Sequence, residues 1–95
     1  MSDIRSILEE RGKRYGSFES HADIAQDLKA VMRRYVEWNE MHTCHCEALE
    51  MMAHKIARIL NGDPYYIDSW ADIAGYAQLV VDSLERKQAN DVRSQ

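Results

Sequence analysis

Proline and glycine are scarce in this chain, with one proline and four glycines in 95 residues. A fold of many short strands needs turn residues about every 8–12 positions, so a β-sandwich or barrel is excluded. An excess of positive charge is also missing. The net charge is −4, which argues against a general nucleic-acid binder. No apolar run approaches the roughly 18 residues that a membrane helix requires, and no signal peptide opens the chain. The two cysteines, Cys44 and Cys46, stand too close together to staple a loop. These absences predict a soluble, cytoplasmic protein with reduced thiols and no membrane partner. Internal repeats and low-complexity segments are absent too.

The composition, 45% hydrophobic and 29% charged, is that of an ordinary globular chain. The length allows one domain. A domain of this size buries only about 60–65% of its unfolded surface, so the sequence predicts a homo-oligomer. The acid is unevenly placed. Glu47, Glu50, Asp63, Asp68, Asp72, Asp82 and Glu85 face only Lys55 and Arg58 within that stretch. Such a cluster attracts cations or is neutralised by a partner.

Hydrophobic spacing places the helices. Ile4, Ile7 and Leu8 predict a short helix over 3–11. Gly12 is a stop signal, and RGKRYGSF then reads as a basic, glycine-bracketed loop able to bring N–H groups and cations to a phosphate. Ser17 or Ser20 caps a helix over about 19–37, whose apolar stripe runs from Ile24 to Val36 and includes His21, an inward-pointing imidazole. His42, Cys44, His45 and Cys46 lack zinc-finger spacing, and Thr43 is a candidate N-cap. A third helix over about 46–60 puts Leu49, Met52, Ala53, Ile56, Ile59 and Leu60 on one face, with Glu50 and His54 on its margin. Asn61-Gly62-Asp63-Pro64 stops it through a left-handed cap. The last helix runs from Asp68 to about residue 88. Its second stripe of Asp68, Asp72, Gly75 and Leu79 suggests a surface where something approaches the backbone closely.

The expected architecture is therefore all-α: a short N-terminal helix and three longer helices in a compact bundle. Residues 1–88 form a single helical domain and 89–95 a frayed tail. Helices three and four pack antiparallel across their short connection. This sets Lys55 and Arg58 near Asp68 and Asp72, either as interhelical ion pairs or as part of a site. In the second case Glu47, Glu50, Asp68 and Asp72 hold Mg²⁺, which favours oxygen ligands completed by water and phosphate. Lys13, Arg14, Lys55 and Arg58 would then grip phosphates, and Tyr15, Tyr65 or Trp70 would stack on a base. His21 and His54 would line the same pocket.

The strings RGKRYGSFESHADIAQ, ALEMMAHKIARILNGDP and DSWADIAGYAQLV resemble an uncharacterised family of small phage and prophage proteins. That family is similar in plan to the all-α MazG-like nucleoside triphosphate pyrophosphohydrolases. The MazG-like group holds Mg²⁺ with a Glu-x-x-Glu pair on one helix and a Glu-x-x-Asp pair on the next. Glu47 and Glu50 match the first pair. Asp72 matches half of the second; Ser69 stands where the glutamate belongs, and Asp68 precedes it. The resemblance implies Mg²⁺-dependent nucleotide hydrolysis with Glu50 and Asp72 as catalytic carboxylates, in the cytoplasm of an infected or lysogenic bacterial host. The alternative is a non-catalytic anti-defence protein that sequesters a nucleotide signal or inhibits a host defence protein by direct binding.

Overall fold

The computed structural model describes residues 2–94, apart from the side chains of Ser2, Val92, Arg93 and Ser94. Five helices follow one another: α1 (Ser2–Tyr15), α2 (Phe18–Arg33), α3 (Val36–Glu40), α4 (Thr43–Asn61) and α5 (Ile67–Ser94). No strand occurs among the described residues.

Several boundaries depart from the sequence expectation, each for a local reason. Helix α1 passes through Gly12 and ends at Tyr15, so the basic loop expected at 11–18 is largely helix. Glycine inside a helix costs only about 1 kcal/mol, whereas the turn itself requires a left-handed residue. That residue is Gly16, at φ 77°, whose N–H bonds back to the Gly12 carbonyl at 2.9 Å. Ser17 then caps α2, its Oγ accepting from the Ser20 N–H at 3.2 Å. The helix expected to reach residue 37 breaks after Arg33. Tyr35 and Val36 are weak helix formers, and the last turn loosens to Arg34 N–Val31 O and Tyr35 N–Met32 O bonds of 3.3 and 3.4 Å. Extended Tyr35 begins the one-turn α3.

Thr43 lies inside α4, and His42 is its N-cap residue. At the other end Gly62 is not left-handed, at φ −138° and ψ −131°. Its missing side chain serves contact instead. A Cβ there would run into the Arg14 carbonyl and the Tyr15 backbone. The Asp63 N–H donates to that same Arg14 carbonyl at 2.7 Å, and Asn61 Nδ2 donates to the carbonyls of Tyr15 and Ser17, both at 2.8 Å. The α4 exit is thus stitched to the α1–α2 turn. Helix α5 continues past residue 88 to Ser94; Gln95, the end of the expected tail, lies outside the described residues.

Helix α4 is the centre of the molecule. It packs on α2 along one side and on α5 along the other, antiparallel to both, and the C-terminal half of α1 meets the α2–α4 pair. Four buried alanines, Ala25, Ala48, Ala53 and Ala57, make these close seams possible; Ile59, His21 and Ser69 are buried with them. Among the described residues no large side chain is fully buried. Winding each helix at about 100° per residue gives the α2–α4–α5 layer two unlike faces. One carries His54, Arg58 and Asp72 and is partly roofed by α1. The other is apolar and open. On it Trp70, Ala74, Ala77, Val81 and Leu84 recur at alternating spacings of four and three, the repeat of a coiled-coil seam.

Candidate functional site

The roofed face holds a cleft of about 380 Å³ between α1, α2 and α4. Its walls are Leu8, Arg11, Gly12 and Tyr15 of α1, the Gly16–Ser17 turn, Phe18 and His21 of α2, and His54 and Arg58 of α4. The Gly16, Asn61 and Gly62 contacts bring these three helices to one place. His21 sits in the first turns of α2 and is 6% exposed. Its Nε2 lies 3.3 Å from His54 Nδ1, with the rings edge to face at 4.5 Å. His21 Nδ1 is buried and has no hydrogen-bond partner. The Arg58 guanidinium lies over the Tyr15 ring at 4.2 Å, a cation–π contact that fixes its plane. Phe18 stacks on His21 at 6.2 Å.

Both histidines stay neutral at physiological pH. Burial lowers the His54 pKa to about 4, helped by His21, Arg58 and the lysines Lys55 and Lys29. The His21 pKa is lowered by burial, then by Arg58 and Lys29. A neutral pair shares one proton between the facing nitrogens. His21 Nδ1 is then either a bare acceptor or a free donor, according to tautomer. The charged lining is Arg11 and Arg58, with no carboxylate. In a chain of net charge −4, that makes a local positive site.

Four of the residues singled out from sequence meet here: Tyr15, His21, His54 and Arg58. The others do not. Arg14 lies over the Tyr66 ring at 4.4 Å and 3.5 Å from Glu10. Lys13 is exposed on α1, outside the cleft. Lys55 pairs with Asp72 at 3.0 Å, which is the ion-pair alternative. Trp70 Nε1 donates to the Pro64 carbonyl at 2.9 Å, and Tyr65 is exposed. Among the carboxylates expected to hold Mg²⁺, Glu50 turns to Arg33 of α2 at 2.9 Å. Asp68 accepts from the Tyr66 hydroxyl at 2.9 Å, a bond that raises the Tyr66 pKa. Glu47 lines a separate cavity with Cys44, His45 and Tyr76. Among the described residues no three His, Cys, Asp or Glu side chains gather as a metal-ligand set, so the side chains as placed do not fit a Mg²⁺ quartet. Nothing lies within 4 Å of where a Gly75 Cβ would stand; the close approach expected there is not made within the chain.

Sequence reasoning missed Leu8, Arg11 and Phe18. Leu8, Arg11 and Tyr15 share a helical face only if the helix continues through Gly12. The signal was the i, i+3, i+7 spacing itself.

Fold and cleft define an all-α domain with an arginine- and aromatic-lined pocket beside a neutral histidine pair. The chain belongs to the DUF6378 family, described as a domain of unknown function, whose model matches residues 3–83. No curated protein and no solved structure matches the chain. The family match carries no link to phage proteins or to MazG-like enzymes. No helix among the described residues is long and apolar enough to cross a membrane.

Proposed function

We propose that this protein binds a nucleotide or nucleotide-derived phosphate in the His21–His54 cleft, and that it holds this ligand rather than hydrolysing it. One observation carries the reading: the charged lining of the cleft is two arginines without a carboxylate, set among Leu8, Tyr15 and Phe18. Guanidinium groups favour phosphate in a planar, bidentate fashion. Apolar and aromatic walls favour a base. The volume is in the range of small-molecule sites, roughly 300–1,000 Å³. His21 Nδ1, buried without a partner, is available to a polar group of the ligand.

The Mg²⁺-dependent hydrolase reading ranks second. Its proposed ligands Glu50, Asp68 and Asp72 are each engaged elsewhere, with Arg33, Tyr66 and Lys55. A holding protein needs cations and rings in the cleft and no metal set. That is consistent with sequestering a nucleotide signal, the role expected of a small anti-defence protein. The working unit is read as a homo-oligomer, because among the described residues no large side chain is fully buried within one chain.

The test is thermal unfolding against nucleoside triphosphates and cyclic nucleotides, with Mg²⁺ and with EDTA. A ligand at about 100 times its Kd adds roughly 2.7 kcal/mol. The expected result is a rise in Tm that persists in EDTA, leaves the nucleotide intact, and is lost in Arg58→Gln. A rise that requires Mg²⁺ and releases pyrophosphate would establish the hydrolase instead. No rise with any nucleotide would overturn both.

A further inference from the structure

The open face of the α2–α4–α5 layer is too apolar and too large to be a finished surface. A folded monomer of 11.0 kDa exposes about 5,600 Å²; this chain exposes 7347 Å². A compact chain of this length has a radius of gyration of about 12 Å; here it is 16.9 Å, with extents of 59 × 27 × 26 Å. The excess area is roughly 1,700 Å².

Six of the fifteen large hydrophobic residues exposed among the described residues lie on one side. Val31 of α2, Ile56 and Leu60 of α4, and Trp70, Val81 and Leu84 of α5 are between 37% and 66% exposed. Helical geometry turns all six away from the face that α1 roofs. No lysine, arginine, aspartate or glutamate shares their angular sector on α4, or on α5 up to Leu84; on α2, Asp27 stands one turn before Val31. A domain needs a second layer to cover such a face, and α1 occupies the other side.

We propose that a second copy of this chain covers the open face, the two layers packing about a two-fold axis. The area is the deciding argument. A standard interface takes about 800 Å² from each partner, and obligate homodimers take more. The excess, to which exposed α1 and the end of α5 also contribute, is large enough to include a standard interface on the open face. A copy of the chain supplies that interface, and two-fold pairs are the commonest symmetric assembly. The α5 seam suits self-pairing. Ala77 sits midway between Trp70 and Leu84, with Ala74 one turn before it, so two antiparallel α5 helices can cross closely at the alanines. Trp70 of one copy then meets Leu84 of the other. This assembly is independent of what occupies the cleft, which opens on the opposite face.

Sedimentation equilibrium of the full chain tests it, with Tm measured across a hundredfold concentration range. The expected result is twice the chain mass and a Tm that rises with concentration. Val81→Glu and Ile56→Glu would each place a carboxylate in the apolar contact and raise the dimer Kd at least about a hundredfold. Leu79→Glu, 63% exposed but on the opposite side of α5, leaves the dimer intact. A wild-type chain that sediments at the single-chain mass, with a concentration-independent Tm, overturns the proposal. So does dissociation by Leu79→Glu with Val81→Glu still dimeric. The wild-type measurements decide the matter even if the glutamate variants fail to fold.

Discussion

On one face of the central layer the C-terminal half of α1 closes a cleft, the α1–α2 turn is bonded to the end of α4, and a neutral histidine pair shares that cleft with two arginines. On the other face the same three helices present leucine, isoleucine, valine and tryptophan side chains to solvent. Small residues fill the seams between the helices, so neither face borrows bulk from a common core. The contrast teaches a division of labour. Alanine seams fix the helix positions, the roofed face uses polar contacts to shape a cleft, and the open face keeps its apolar area for another layer.

The strongest way to break this contrast is to remove the roof. Gly62→Val would drive a branched side chain into the Arg14 carbonyl and the Tyr15 backbone. Neither can move without losing the Asp63–Arg14 and Asn61–Tyr15 bonds. The expected cost is about 3 kcal/mol, measured by urea unfolding. Hydrogen exchange should show α1 amides losing protection while α4 amides keep theirs, and nucleotide binding should go with α1. If α1 stays protected, the stitch is not what holds the roof.

A milder perturbation charges the floor of the cleft. The His54 pKa is lowered to about 4 from an ordinary 6.5, by burial first and then by His21 and Arg58. The unfolded chain therefore takes up the proton before the folded one does. The stability that His54 contributes as a neutral group is fully present above pH 6.5. It declines as the pH falls from there and is gone near pH 4. An NMR titration of the imidazole should put its midpoint close to 4, and His54→Asn should flatten the stability profile over that window. A midpoint near 6.5 would mean that the ring is solvated and that the roof does not seal the floor.

Much of the fold was legible in the sequence. The all-α class, the inward His21, the stop at Asn61–Pro64 and the amphipathic stripe of α4 all follow from spacing and turn chemistry. The structure moves the N-terminal boundary from Gly12 to Gly16. Both are glycines after a basic residue or an aromatic one, and only the tertiary contact of Gly16 with Asn61 distinguishes them. The cleft was half legible. Tyr15, His21, His54 and Arg58 stood out by type, but Arg11 became relevant only once α1 ran past Gly12. The carboxylates stood out by number, yet acid count does not reveal which cation each one meets. Glu50 faces Arg33, seventeen residues earlier in the chain, a pairing that no local pattern encodes.

The smallest expected effect probes the part of the polar face beyond the cleft. Asp72 is 47% exposed while its partner, the Lys55 side chain, is 12% exposed. Asp72→Asn removes the negative charge and leaves a mostly covered ammonium. The aspartate side is wet, so the loss should be only about 1 kcal/mol, seen as a modest fall in Tm that salt reduces. Asp72 is not part of the cleft lining, and nucleotide binding in EDTA should be unchanged. This separates the two functional readings on one residue. As an ion pair, Asp72 affects stability slightly and binding not at all. As a metal ligand, its replacement would abolish Mg²⁺-dependent pyrophosphate release while barely moving Tm, and the polar face would be a catalytic surface extending beyond the roof.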